Sequence, residues 1–299
     1  MAVSTYPTRS ELAAGLRERR RRGAVVAHFL RHNPLVALGA AVFIAWLFIS
    51  IFARLLAPYE PMQQAIVDRL QPPSAEHWFG TDQLGRDVFS RVLYGGRLSL
   101  PAGILVIVIA VLIGTAIGSL SGFIGAWFDE GVMRLTEIFM AFPTIILAMA
   151  IAAALGPSLI NAVVAMVVVW WPNYARVVRS LVISVKSQEY VEAARALGVP
   201  GSRILLRTVL PNCLAPAIVL ATIDLGHAIL VFAGLSFLGL GPDPSNPEWG
   251  RMIADGIDYF DQWWVAAFAG LAIFTVVMAF NFIGDGVRDA LDPRLRKQL

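Results

Sequence analysis

From Ile138 to Ala175 the chain carries no Asp, Glu, Lys or Arg. The stretch is too long for one bilayer crossing of about 20 residues, and Gly156-Pro157-Ser158 divides it. Backbone inside hydrocarbon must satisfy its own polar groups, so runs like these fold as spanning helices. Reading the other apolar runs in the same way predicts six spans, over 34–56, 98–124, 132–155, 159–177, 213–240 and 263–286. The expected fold is all-α, a six-helix membrane bundle. Composition agrees: 57% of residues are hydrophobic and 15% charged, where soluble domains carry about 25%. The predicted organisation is a basic tail (1–33), a first span (34–56), a segment between spans (57–97), a five-helix core (98–286) with a charged loop at 187–211, and a second tail (287–299).

Charge sets the expected orientation. Seven arginines lie in the N-terminal tail: Arg9, Arg17, Arg19, Arg20, Arg21, Arg22 and Arg31. With that tail inside, Arg134, six Lys or Arg from Arg176 to Arg207 and four from Arg288 to Lys297 also fall inside. Only Arg69, Arg86, Arg91, Arg97 and Arg251 fall outside, with Arg54 at a boundary. The positive-inside rule therefore puts both termini in the cytoplasm. A nucleic-acid arm fits poorly beside an adjoining span. A cleaved signal peptide does too, because the apolar run from Pro34 to Ile51 exceeds a usual core of about 7–15 residues. The tail is expected to be partly disordered or to lie on the anionic surface of membrane lipid.

Catalytic and metal chemistry find little support. Cys213 is the one cysteine, so no internal disulfide forms. The four histidines are scattered without metal-ligand spacing. A phosphate-binding loop needs Gly-Lys-Ser/Thr, yet the only lysines, Lys186 and Lys297, follow Val185 and Arg296. The chain is not expected to be an enzyme or to hold a cofactor.

The stretch 188–211 is the longest charged segment between two apolar spans. Glu189, Tyr190, Glu192, Ala193, Ala194, Arg195 and Leu197 suit a short helix. Gly198 stops it, Pro200 prevents its simple continuation, and Gly201-Ser202 opens a second. A short helix between spans cannot bury itself in its own chain and needs a docking partner. A bare Glu-Ala-Ala is common, and an amphipathic surface helix is the plainer reading. With Gly198 and Leu210-Pro211, however, the segment resembles the "EAA" loop of permease subunits of bacterial ABC importers. There the loop forms a coupling helix that sits in a cleft of a separate ATP-hydrolysing subunit. The run Gly80-Thr81-Asp82, Gly85-Arg86-Asp87 and Ser90-Arg91 narrows the resemblance to the C-type permease of dipeptide, oligopeptide and nickel importers. The segments 139–143, 235–241, 247–250 and 291–296 are similar to the same family. One position departs from it: Phe232 stands where an acidic residue is usual.

The resemblance implies a pathway subunit of an ATP-driven importer in the bacterial cytoplasmic membrane, with di- or oligopeptides as default cargo and nickel chelates or glutathione as alternatives. It implies as partners a homologous B-type permease, two ATPase subunits that hold the ATP and Mg, and an extracytoplasmic substrate-binding protein. Within this chain Glu189 to Gly198 would couple to the ATPase.

Asp224 and His227 share one helical face in the fifth span. They suit either a translocation path, with Met140, or a locally satisfied pair sealing an interface. The first reading also admits an ion-coupled carrier. Asp82, Arg86, Asp87 and Arg91 are spaced for an ion-pair network that staples the outer segment, with Thr81 or Asp82 capping a short helix at 87–93. Gly114, Gly118 and Gly122 recur every fourth residue and give the second span one small face for close helix approach. Pro143 is placed to kink the third span, Arg134 and Glu137 to pair, and Trp170-Trp171-Pro172-Asn173-Tyr174 to mark the cytoplasmic rim.

Overall fold

The computed structural model describes residues 30–291. The arginine-rich tail through Arg22 and the segment 292–299 lie outside the described residues. Among those described, every named element is helical. In order the α-helices are α1 (Pro34–Ile51), α2 (Ala53–Leu56), α3 (Val88–Ile124), α4 (Ala126–Met140), α5 (Thr144–Leu155), α6 (Leu159–Lys186), α7 (Glu189–Ala196), α8 (Gly201–Ile204), α9 (Leu210–Phe237), α10 (Trp249–Gly256) and α11 (Trp264–Leu291). Four elements are long and apolar enough to cross a membrane: α1, α3, the Gly201–Phe237 run and α11. The bent pair α4–α5 makes five if it counts as one span.

The largest helix–helix contact joins α3 and α6. The small face read from the glycine spacing carries it. A Cβ on Gly114 would lie 2.7 Å from the Trp171 carbonyl oxygen, one on Gly118 2.2 Å from that of Ala175, and one on Gly122 2.8 Å from that of Arg179. Backbone meets backbone here, which only glycine permits. Around this seam Val106, Ile107, Met166, Trp170, Tyr174, Phe232 and Leu235 form a buried core shared by α3, α6 and α9. A second core joins α3 and α9 to α10 and α11 through Leu100, Ile229, Trp249, Ile273 and Phe280.

Several boundaries differ from those read in the sequence. No separate helix covers 87–93, because α3 begins at Val88 and runs unbroken for 37 residues. Asp87, rather than Thr81 or Asp82, caps it by accepting the Ser90 amide at 2.8 Å. The third span is not one helix. α4 and α5 meet at 89° across Ala141–Pro143, because Pro143 cannot continue α4. Where the fourth span is expected, α6 runs on through Trp170–Tyr174 to Lys186. Trp170, Trp171 and Tyr174 are buried, so they pack the bundle and do not anchor a rim. Ahead of α9 the chain opens into a π-helical turn, Leu205–Val209. Pro211 lacks the amide that would bond to Arg207 four residues back, and its ring needs the wider turn.

Gly118→Val should overpack this seam and lower stability by about 3 kcal/mol. Gly131→Ala, where nothing lies within 4 Å, should be neutral or stabilising by up to about 1 kcal/mol. Melting midpoints of the detergent-solubilised protein distinguish the two.

Candidate functional site

Helix α7 is held from one side only. Val191 is fully buried among Val178, Val182, Ile204, Leu205, Val209 and Cys213, so the chain does bury one edge of this helix. Its other face is open: Glu189, Glu192, Ala193 and Arg195 are exposed, Tyr190 is 49% exposed and Leu197 83%. The C-terminus is closed by backbone geometry. Gly198 adopts φ +76°, its amide reaches Arg195 O at 2.9 Å, and the Val199 amide reaches Ala194 O at 3.1 Å. This paired pattern needs a left-handed residue after the helix. Nothing crowds a Cβ at Gly198, so conformation alone selects glycine there. Ala194 and Val199 pack against the same cluster as Val191.

Three contacts tie α7 and the end of α6 to the rest of the bundle. Lys186 Nζ donates to the Phe123 carbonyl at 2.5 Å. Lys186 and Arg195 lie over the Phe123 ring at 5.6 and 5.9 Å. Farther along α6, Arg179 grips Asp129 of α4 with Nε and Nη2, both at 2.5 Å, and the Ser121 hydroxyl donates to the same carboxylate. Arg134 and Glu137 pair at 3.3 Å as expected, fully on the surface.

Where α4 breaks, a cavity of about 260 Å³ opens. Phe139, Met140, Phe142 and Thr144 line it from the α4–α5 side, Val169, Trp170 and Asn173 from α6, and Asp224 and His227 from α9. The structure thus brings Asp224, His227 and Met140 together. Asp224 Oδ2 accepts the Tyr174 hydroxyl at 2.7 Å, and the His227 ring sits edge-on to Trp170 at 5.5 Å. Tyr174 lies 50 positions from Asp224, and no local pattern links the two. Phe232 is fully buried in the core.

At the Val88 end of α3, Asp82 is fully buried. Its Oδ2 accepts Arg86 Nε at 2.6 Å and also Arg91 Nη1. Its Oδ1 accepts the amides of Leu84 and Arg86. Asp255 on α10 faces both guanidiniums at 3.3 Å. Asp87 is not part of this network: it caps α3 and meets His77 Nδ1 at 2.9 Å. Sequence spacing therefore found three of the network's members and missed Asp255. Glu248 adds a second tie. It accepts the Gly250 and Arg251 amides and the Ser99 hydroxyl, and burial pushes its carboxyl above the usual range. Trp249 Nε1 donates to Val92 O at 2.9 Å. Together these fix the segment ahead of α3, α10 and α3 itself as one block. Among the described residues no cluster of His, Cys, Asp or Glu is suited to a metal ion.

The chain is thus a helical bundle with several helices long and apolar enough to cross a membrane and one short helix held from one side only. Residues 114–297 match the family described as binding-protein-dependent transport system inner membrane component. Residues 19–73 match the N-terminal TM domain of oligopeptide transport permease C. The chain belongs to this permease family. It is 46% identical to the dipeptide transport system permease DppC of Alkalihalophilus pseudofirmus, over 89% of this chain and 88% of the relative. It is 44% identical to the probable D,D-dipeptide permease DdpC of Escherichia coli, over 91% and 92%. It is 42% identical to the glutathione permease GsiD of Pectobacterium atrosepticum, over 90% and 89%.

Asp255→Ala should leave two buried guanidiniums with one carboxylate and cost about 3–5 kcal/mol. Arg251→Ala, whose side chain is 35% exposed, should cost under about 1 kcal/mol. Thermal melts of the two variants in detergent check this.

Proposed function

We propose that this chain is the C-type permease subunit of an ATP-driven importer of di- or oligopeptides. The observation that carries the reading is the match to dipeptide permeases over about nine-tenths of the chain, joined to a helix that presents its polar face outward where the coupling loop is expected. The glutathione permease relatives support glutathione, itself a small peptide, as the second cargo. Membership in a binding-protein-dependent family favours this reading over an ion-coupled carrier.

In this reading six crossings span the bacterial cytoplasmic membrane with both termini inside. α6 supplies the sixth: at 28 residues it is about 42 Å long, and its Trp170, Trp171 and Tyr174 are shielded by protein. Residues 57–97 face outward, toward a substrate-binding protein. A homologous B-type subunit forms the other half of the pathway. Two ATPase subunits hold the ATP and Mg, and α7, Glu189 to Gly198, docks in a cleft of one of them. Closure of the ATPases pushes on α7. The push passes through Phe123 and Lys186 into α6, and through Arg179–Asp129 into α4. There it reaches the break at residues 141–143 and the cavity beside it, switching which side is open.

Glu192→Lys with Ala193→Arg alters only exposed positions. Melting and membrane insertion should be unchanged, while ATP-driven uptake by the reconstituted complex falls to background. Full uptake by the correctly assembled variant would count against the coupling role. Asp129→Asn should lower uptake per ATP hydrolysed without preventing assembly, and the exchange Asp129→Arg with Arg179→Asp should restore part of it. Paired uptake and ATPase assays measure the ratio.

A further inference from the structure

We propose that the cavity at the α4–α5 break is one half of a recognition site for a primary ammonium group, the amino terminus of a peptide in transit, and that Asp224 is the residue that recognises it. The inference rests on the importer reading and adds a binding residue to it.

The lining contains no Lys or Arg, and Asp224 is its one carboxylate. The other titratable group is His227, one turn along the same helix. Tyr174 is fully buried, and its hydroxyl holds Asp224 Oδ2. The carboxylate therefore has a fixed orientation. Among the described residues no hydrogen bond reaches Oδ1. A carboxylate held within a spanning helix with one oxygen unengaged is costly unless a cation meets it. A wall with a single acid, no Lys or Arg, and His227 as its one other titratable group offers that place to a ligand.

The rest of the lining suits an ammonium. Phe139, Phe142 and Trp170 supply aromatic rings, which attract cations. Asn173 and Thr144 bring further acceptor oxygens, and an ammonium has three donors to place. At about 260 Å³ the cavity falls short of the roughly 300–1,000 Å³ of a complete small-molecule site. A facing wall from the partner permease would supply the remainder.

The test uses the complete permease–ATPase complex. Equilibrium dialysis without binding protein compares Ala-Phe with N-acetyl-Ala-Phe, which lacks the ammonium. ATP-driven uptake of Ala-Phe with binding protein is measured separately. The wild-type complex should bind Ala-Phe about tenfold more tightly than the acetylated peptide, the scale of one charge-assisted hydrogen bond. Asp224→Asn should reduce Ala-Phe binding to the acetylated level and leave acetylated binding unchanged. Tyr174→Phe keeps the carboxylate but frees it, and should give an intermediate preference. Equal wild-type binding of the two peptides, no detectable binding of either, or a preference that survives Asp224→Asn would overturn the site while uptake leaves the importer reading standing. A wild-type complex that takes up neither Ala-Phe, a longer peptide nor glutathione sinks the importer reading itself.

Discussion

Backbone contact between α3 and α6 is the constraint on which the other features depend. Glycine at positions 114, 118 and 122 lets two long helices touch at their carbonyls. Apolar side chains gain no hydrophobic advantage by leaving lipid for protein, so close packing must supply the association. Once the seam forms, α3 carries the ion-pair cluster at its Val88 end and the Phe123 platform at the other. α6 carries the Trp170–Tyr174 wall of the cavity and the arm leading into α7. The sites at opposite ends of the bundle are thus attached to one rigid pair.

The two ends are built differently, and the difference follows from burial. At the Val88 end the side chains of Asp82, Arg86 and Arg91 are at most 5% exposed, and the two arginines share the carboxylates of Asp82 and Asp255. Breaking that network would strand charges, so the end moves as a block. At the α7 end the Arg179–Asp129 clamp is 29% and 15% exposed. Water can replace a partner there at smaller cost. The helix beyond it is fixed by the buried edge around Val191.

Local chemistry was readable in the sequence, and long-range pairing was not. The glycine period, the stop at Gly198 and the open face of α7 all follow from residues within a few positions of one another. Pro143 announced a kink, but its 89° size depends on what α4 and α5 pack against. Asp255 lies 164 positions from Arg91, and nothing near either residue names the other. The tryptophans at 170 and 171 misled because interface aromatics and buried aromatics look alike until the neighbouring helix is known. The same holds for the helix start, where Asp82 and Asp87 are both good caps and only the fold assigns one to the amide and the other to the arginines.

The departure at Phe232 follows from the same packing. It lies eight residues beyond Asp224, about 12 Å along α9, and is fully buried against Val106, Met166 and Leu235. An acid in that apolar setting would lose its hydration. Phenylalanine fills the space and keeps the α3–α6–α9 core apolar. The carboxylate on this helix instead stands where Tyr174 can orient it and a cavity opens beside it. The core therefore accepts phenylalanine at 232 while a polar role remains open two turns away, at Asp224.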